Sequence, residues 1–187
     1  LSIWVKCDAF TSGEQKIMWK GNSLAADSPF WLEVSGTAHA AGAGCIIFAL
    51  KDNTSSKVID VTSTNKIRTG KWHHIVATYA GSDVTSIDQT AASALRVYID
   101  GEKSIRDTWS GTFIGSSNDQ MRASAFGNIT LGAQNSSGYS KYFDGSLAEP
   151  AIFGSTLTQK TIKAIYNATL YGVNLGPTSG IISLPPR

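Results

Sequence analysis

Alternation of apolar and polar residues over short stretches is the main pattern along this chain. It is clearest at residues 72–79, which read WHHIVATY, and at residues 95–99, which read LRVYI. β-Branched and aromatic residues at alternate positions are typical of half-buried strands. The dipeptide Asp100-Gly101 follows the second stretch and favours a type I′ turn. We therefore expect the chain to fold back over residues 102–107 as an antiparallel strand.

The same residue mix predicts further short strands on both sides of this hairpin. The predicted strands are Ser2–Cys7, Lys16–Lys20, Phe30–Val34, Cys45–Leu50 and Val58–Val61 before it, and Ile129–Leu131 and Ser146–Phe153 after it. Pro150 has no backbone N–H, so it predicts an edge position or a bulge in the last strand. Thr158 is a favourable N-cap residue, and the apolar stripe of Ile162, Ile165 and Tyr166 predicts one short helix after it.

The composition is that of a single all-β domain. The chain has 187 residues, of which 16% are charged, and it is rich in glycine, serine and threonine, as in proteins with many strands joined by turns. The formal net charge of +2 is too small to favour a nucleic acid as partner. The longest apolar run, residues 45–50, is far shorter than the roughly 20 residues that span a bilayer, so we expect no membrane insertion.

The order of these segments resembles a known family. The strand at residues 72–79, a variable connection, and LRVYIDGE at residues 95–102 resemble the central signature of laminin-G-like and pentraxin-like domains. ITLGAQ at residues 129–134 and YFDGSLAEPAIFGSTLTQKTIKAIYN at residues 142–167 follow in the same order as in that family. The chain thus resembles a laminin-G-like or pentraxin-like domain of the concanavalin A-like lectin/glucanase superfamily. The resemblance implies a jelly-roll sandwich of two antiparallel sheets with one short helix near the C-terminus.

The resemblance also suggests the domain boundaries. It implies a jelly-roll domain over residues 1–169 and, because family members usually carry one more strand, a strand upstream of Leu1. Residues 170–187 are rich in glycine and proline and are expected to form an extended tail or linker. Cys7 and Cys45 lie in strand-like apolar segments, where buried thiols are favoured and a disulfide is the alternative.

Glycoside hydrolysis is the obvious enzymatic alternative, because laminarinase-type hydrolases share this architecture. Those enzymes hold two carboxylates about 5 to 9.5 Å apart. The glutamates of this chain are isolated, and no Glu-x-Asp-x-x-Glu cluster occurs, so we expect no catalytic residue and no enzyme activity. His73 and His74 are adjacent, so on a strand they point to opposite faces and cannot converge on one metal ion. The resemblance implies that His74 is structural, with its ring nitrogen satisfied inside the sandwich.

Calcium is the one cofactor that the resemblance suggests, and we expect no other cofactor. Laminin-G-like and pentraxin-like domains often hold calcium between loops, through aspartate and asparagine oxygens. In this chain the favoured candidate ligands are Asn118 and Asp119, in the polar segment 115–125. A metal-free domain remains the alternative.

Sugar binding requires an exposed aromatic ring beside hydrogen-bonding side chains. Trp109, Tyr139 and Tyr142 lie near predicted loops and are the candidate platform, with Asn118 and Asp119 as candidate polar partners. Packing of Trp109 under a loop is the alternative. The other four tryptophans are expected to fill the core or its rim: Trp4, Trp19, Trp31 and Trp72.

These observations lead to the hypothesis of a non-catalytic recognition or assembly module. In its first form the chain is a structural or decoration component of a larger particle, such as a phage virion or a surface array, because such modules resemble those attached to capsids and tail fibres. In its second form it is a displayed adhesion domain that binds a glycan or a protein, with or without calcium. Protein partners or a surface glycan, a homo-oligomer, and an extracellular or virion-surface location fit these two forms.

Overall fold

The computed structural model shows a sandwich of two antiparallel sheets. It describes residues 1–21, 30–51, 58–80, 95–104, 109–110, 128–135 and 138–170. The strands are β1 (Ser2–Cys7), β2 (Gln15–Gly21), β3 (Phe30–Val34), β4 (Cys45–Lys51), β5 (Val58–Lys66), β6 (Trp72–Tyr79), β7 (Leu95–Ile99), β8 (Glu102–Lys103), β9 (Trp109–Ser110), β10 (Asn128–Leu131), β11 (Gln134–Asn135), β12 (Tyr139–Ser140) and β13 (Gly145–Ala151), and the helix is α1 (Gln159–Leu170). The predicted all-β class with one short helix near the C-terminus is confirmed.

The sheet order places the predicted hairpin in the smaller of the two main sheets. The five-stranded sheet has the order β13-β1-β6-β7-β8, the six-stranded sheet has the order β10-β2-β3-β4-β5-β9, and β11 and β12 form a separate two-stranded ribbon. Asp100 and Gly101 have φ angles of 55° and 82°, the positive values that a type I′ turn requires. The chain returns as β8, and residues 105–107 of the expected strand lie outside the described residues.

The hydrophobic core lies between the two main sheets. Alternate residues of each strand point into it, as the alternating pattern predicts. Its fully or almost fully buried side chains include Ile3, Val5, Ile75 and Val97 from the five-stranded sheet, and Leu32, Ile46, Phe48 and Val61 from the six-stranded sheet. Burial of each large side chain of this kind contributes about 1.5 to 3 kcal/mol.

Helix α1 packs against the outer face of the five-stranded sheet. Thr158 caps it as predicted, because the Thr161 N–H donates to Thr158 Oγ1 at 3.2 Å. Ile162 is fully buried and packs with Val76 and Tyr98, which project from β6 and β7 on the side away from the core. The apolar stripe of the helix therefore covers this face of the sheet.

His74 lies beneath this helix. Its Nε2 atom is 2.8 Å from Ser2 Oγ, and its ring centroid is 5.2 Å from that of Trp4 and 6.2 Å from that of Tyr166. One ring nitrogen of His74, Nε2, is thus hydrogen-bonded as expected. The ring, however, lies between the five-stranded sheet and the helix rather than between the two sheets. His74 Nδ1 is buried and has no partner in the described part of the chain. Burial lowers the pKa of His74 from 6.5 to about 4, against the opposing charge of Asp100.

His73 points away from His74, as predicted for neighbours on a strand. Its Nδ1 atom is 2.8 Å from Asp100 Oδ2, and the backbone N–H of His74 donates to Asp100 Oδ1 at 2.9 Å. The Asp100 carboxylate therefore ties the type I′ turn to β6.

Strand β13 carries the irregularity that Pro150 predicts. Trp4 is opposite Ala148, but Ser2 is opposite Ala151, so two residues of β13 face one residue of β1. One of them, Glu149, has a φ of 53°. Since β13 is also an edge strand, Pro150 lies both at an edge and in a bulge.

The outer face of the six-stranded sheet carries a buried ion pair. Lys16 is opposite Glu33, and Lys16 Nζ donates to Glu33 Oε2 with side chains only 4% and 8% exposed. The ammonium also lies 5.5 and 5.1 Å from the ring centroids of Trp19 and Trp31. Burial lowers the pKa of Lys16, although the Glu33 carboxylate acts in the opposite direction. Trp19 is buried and Trp31 half-buried, as expected.

Both cysteines are buried and free, as favoured from the sequence. Cys7 Sγ donates to the carbonyl of Ala9 at 3.2 Å, and Cys45 Sγ lies 3.7 Å from the carbonyl of Ala41. Burial and, second, the nearby Asp144 carboxylate raise the pKa of Cys7 to about 11, so this thiol is protonated at neutral pH.

Candidate functional site

The β11–β12 ribbon is fixed at both of its ends to strand β2 of the six-stranded sheet. The Gly132 N–H donates to the carbonyl of Ile17 at 3.0 Å, and the Lys16 N–H donates to the carbonyl of Lys141 at 2.9 Å. The Phe143 N–H closes the segment by donating to the carbonyl of Gly132 at 2.8 Å. Lys141 adopts a φ of 49°, a conformation that is uncommon for residues other than glycine. Residues 135–141 are polar and by local pattern indicate only a loop, but in the structure Asn135 pairs with Tyr139.

Two tyrosines of this ribbon segment are exposed. Tyr139 is 62% and Tyr142 is 63% exposed. The Tyr142 hydroxyl donates to the carbonyl of Tyr139 at 3.1 Å, which restricts its ring. We call Tyr139 and Tyr142, with the strands that hold them, the tyrosine ribbon. Two apolar rings held on a fixed backbone can accept a flat ligand at little entropic cost.

Polar groups surround the tyrosine ribbon. Lys141 Nζ lies 3.2 Å from Glu14 Oε2 in an exposed ion pair, and half-buried Asn135 is directly opposite Tyr139. The backbone N–H of Glu14 donates to the carboxylate of the same residue and lowers its pKa, and Lys141 acts in the same direction. Glu14 is therefore ionised at neutral pH. The ribbon combines exposed rings, an amide, a carboxylate and an ammonium group.

The other predicted site residues do not join this group in the described structure. Trp109 lies in β9, opposite Val61, and β9 and β10 are the two opposite edges of the six-stranded sheet. Five strand spacings, about 24 Å in total, separate these edges, so the strand of Trp109 is remote from the tyrosine ribbon. Asn118 and Asp119 lie outside the described residues. Among the described residues no group of three or more histidine, cysteine, aspartate or glutamate side chains is placed to hold a metal ion.

Two carboxylate residues of the six-stranded sheet share its outer face. Glu33 is opposite Ile47, and Asp60 is opposite Ala49, so they are two strands and two residues apart. Strand geometry puts their Cα atoms about 12 Å from each other. Glu33 is also bonded to Lys16. These two residues do not form the close, open carboxylate pair of a glycoside hydrolase.

One end of the sandwich contains a cavity of about 390 Å³. Its walls are mainly apolar and include Phe30, Phe48, Ile152 and Leu157, with the Thr156 hydroxyl donating to the carbonyl of Tyr79 at 2.9 Å. None of the site residues predicted from the sequence lines it.

Comparison with known structures identifies the same architecture elsewhere. A heptameric SAP-like pentraxin from Limulus polyphemus has a TM-score of 0.61 and 19% identity, over 98% of this chain and 74% of the pentraxin chain. The CBM40 of the Ruminococcus gnavus IT-sialidase, bound to α2,3-sialyllactose, has a TM-score of 0.57 and 13% identity, over 88% of this chain and 80% of the CBM40 chain. At these identities the likeness concerns the fold. Comparison with curated protein sequences gives no match.

Family comparison covers most of the chain. The laminin-G model, described as the concanavalin A-like lectin/glucanases superfamily, matches residues 1–163. This range runs from β1 into helix α1 and includes both main sheets. The resemblance inferred from the sequence is confirmed, and the chain belongs to the concanavalin A-like lectin/glucanase superfamily.

Proposed function

We propose that this chain is a non-catalytic recognition module that binds glycans through the tyrosine ribbon. The observation that carries the proposal is the pair of exposed rings, Tyr139 and Tyr142, on a segment bonded to β2 at both ends. An aromatic ring stacks on the C–H face of a sugar, and nearby amide and charged groups bond its hydroxyls. Asn135, Lys141 and Glu14 supply such groups here. The glycan-bound CBM40 with the same fold supports this class of ligand.

The absence of catalysis is part of the proposal. Hydrolysis of a glycosidic bond requires two carboxyl groups about 5 to 9.5 Å apart that face the substrate. On the described outer face of the six-stranded sheet, Glu33 is buried against Lys16 and is two strands from Asp60. The binding-type domains with a similar fold also support a role without chemistry.

Replacing Tyr139 by alanine is expected to weaken glycan binding about tenfold, the equivalent of about 1.4 kcal/mol, because the stacking ring is lost. Tyr139→Phe is the matched control, since it keeps the ring and should bind within about twofold to threefold of the unchanged protein. A glycan array would select the ligand, and titration calorimetry would compare the three proteins. Equal affinities for Tyr139→Ala and the unchanged protein would contradict the proposed site.

The same titration separates a calcium-dependent form from a metal-free one. The favoured candidate calcium ligands in the sequence are only two, Asn118 and Asp119. We propose metal-free binding at the tyrosine ribbon because its described polar groups suffice to bond sugar hydroxyls. Affinity should be equal in millimolar calcium and in chelator. A ligand that binds only the folded state also raises its stability, so a calcium-induced rise in Tm would contradict the metal-free form.

Assembly is the second candidate function, and one edge of the fold favours it. Edge strands are normally protected from pairing by charges, proline, bulges or short length. The edge strand β13 carries the bulge at Glu149 and Pro150, and β8 and β9 have only two residues each. Strand β10, Asn128–Leu131, has no charge and no proline, and its Ile129 and Leu131 are 43% and 42% exposed. In an antiparallel pair of two copies centred on Thr130, these two apolar residues would face each other.

Leu131→Lys is expected to abolish self-association of the chain if β10 is the assembly edge, because each lysine would replace an apolar contact with Ile129 of the other copy by a charge that must lose water. Light scattering coupled to size exclusion would give the mass of both proteins over a range of concentrations. Ile152→Lys is the matched control, since Ile152 is 51% exposed but lies outside β10, and it should leave the mass unchanged. A monomeric unchanged protein at the highest concentration would contradict assembly through this edge.

In the assembly role the chain would be one component of a larger particle, such as a phage virion or a surface array, with other proteins of that particle as partners. In the adhesion role its partner would be a surface glycan. Both place the proposed site of action outside the cell or on a virion surface. No helix among the described residues has the length and apolarity needed to cross a membrane.

A further inference from the structure

One tryptophan occupies a different environment from the one expected. The sequence places Trp72 in the core or its rim, but this side chain is 44% exposed at the start of β6. It is opposite Lys6 of β1, and Lys6 is in turn opposite Ser146 of β13. Residues directly opposite each other in antiparallel strands share one face. Trp72, Lys6 and Ser146 therefore form a row across three strands, which we call the Trp72 shelf.

The Trp72 shelf lies on the outer face of the five-stranded sheet, beyond the part that α1 covers. Trp4 and His74, two residues away on the same strands and the same face, are buried beneath the helix. Trp72 is not covered in this way. An exposed indole ring on a sheet face can stack on the C–H face of a sugar.

The charge beside this ring is positive. Lys6 Nζ lies 5.9 Å from the centroid of the Trp72 ring, within the range of a cation–π contact. Among the described residues no ion pair to Lys6 is formed. The ammonium therefore retains its capacity to bond an anion next to an exposed aromatic ring, and Ser146 adds a hydroxyl on the other side of Lys6.

We infer that the Trp72 shelf binds a sugar that carries a carboxylate. In this arrangement the sugar stacks on the Trp72 ring, its carboxylate bonds the Lys6 ammonium, and one of its hydroxyls bonds Ser146. The inference rests on the proposed glycan recognition and adds to it a second surface with a preference for acidic sugars. This surface is on the five-stranded sheet, whereas the tyrosine ribbon is fixed to strand β2 of the six-stranded sheet.

The surrounding charges favour a ligand with a single carboxylate. Lys71 is exposed and precedes Trp72 in the chain, but Lys6 is the cation that lies over the Trp72 ring. Asp8 and Asp144 are exposed at the end of β1 and β13 that carries Lys6 and Ser146, where the Asp8 N–H donates to the Asp144 carbonyl at 2.8 Å. These two carboxylates would repel additional negative charges, so a polyanion fits this surface less well than one acidic sugar.

Two matched pairs of soluble glycans test the inference. Sialyllactose and lactose form the first pair, and a disaccharide ending in glucuronate and its glucose counterpart form the second. Titration at low ionic strength should show about tenfold tighter binding of at least one acidic member, because a hydrogen bond to a charged group is among the stronger kinds. Lys6→Gln should remove this preference, and Trp72→Ala should weaken binding of the preferred acidic sugar about tenfold.

Three further variants make the result specific. Lys71→Gln removes a neighbouring charge but leaves the contact between Lys6 and the Trp72 ring, so it should keep the preference for acidic sugars. Trp72→Phe retains an aromatic ring and should also keep this preference. It serves as a control in case Trp72→Ala misfolds. Tyr139→Ala should also keep it, because the tyrosine ribbon is a separate surface. Equal binding of acidic and neutral members in both pairs, or a preference that survives Lys6→Gln, would overturn the inference. If the protein binds neutral glycans, loses that binding in Tyr139→Ala and shows no preference for acidic sugars, only the inference about the Trp72 shelf is overturned. If the protein binds no glycan at all, the proposed function is overturned as well.

Discussion

Glu33→Ala is expected to lower the free energy of unfolding by about 3 to 5 kcal/mol, because it leaves the Lys16 ammonium buried without its carboxylate. The side chains of Lys16 and Glu33 are only 4% and 8% exposed, so water cannot replace the lost partner. The two tryptophan rings near the ammonium, Trp19 and Trp31, stabilise a cation only partly. Urea unfolding of the variant and the unchanged protein would measure the difference.

Two controls separate burial from charge pairing as such. Glu14→Gln breaks the exposed pair with Lys141 and should cost at most about 1 kcal/mol, as is usual for ion pairs in contact with water. The double variant Lys16→Met with Glu33→Leu removes both charges from the buried site and should recover most of the stability lost in Glu33→Ala. If Glu33→Ala is no more destabilising than Glu14→Gln, the Lys16–Glu33 pair is not shielded from water as its low exposure indicates.

Stability is expected to fall by about 3 kcal/mol between pH 6.5 and pH 4 through His74 alone. Burial beneath α1 lowers the pKa of this imidazole to about 4 in the folded state, while the unfolded chain keeps the ordinary value of 6.5. In this window the unfolded chain binds a proton that the folded chain does not, so acid favours unfolding. The contribution is complete above about pH 6.5 and is lost as the pH falls to the folded-state value.

Urea unfolding at several pH values would measure this dependence. His74→Gln removes the titrating group, so the decline over the window should be smaller than in the unchanged protein by about 3 kcal/mol. Ser2→Ala is the matched control: it removes the partner of His74 Nε2, at a cost of about 1 kcal/mol, but keeps the imidazole and hence the decline. Identical declines in His74→Gln and the unchanged protein would show that this ring does not account for the acid sensitivity.

Much of the fold could be predicted because local residue patterns determine the strands. The expected bounds Ser2–Cys7, Phe30–Val34, Trp72–Tyr79 and Leu95–Ile99 agree with the structure. Strand β5 is longer than expected, Val58–Lys66 rather than Val58–Val61, because its second half is polar and is held by pairing with β4 instead of by apolar alternation. Where pairing with a distant strand, and not the local residue pattern, sets the end of a strand, the sequence predicts that end less well.

The candidate surfaces were harder to predict, because contacts between distant segments form them. Residues 135–141 look like a polar loop, and only the hydrogen bonds from Lys16 and to Ile17 reveal a fixed ribbon. Trp72 has the same strand environment in sequence as the buried Trp4, and their difference depends on where α1 ends above the sheet. No local residue pattern predicts where the helix ends above the sheet.

The most direct test of the central claim is a titration of the array-selected glycan into the purified protein, followed by mass analysis of the recovered glycan. Binding without catalysis predicts saturable binding that weakens in Tyr139→Ala, and a glycan recovered intact after prolonged incubation. Recovery of a shortened glycan would contradict the account, and so would saturable binding that is the same with and without the Tyr139 ring.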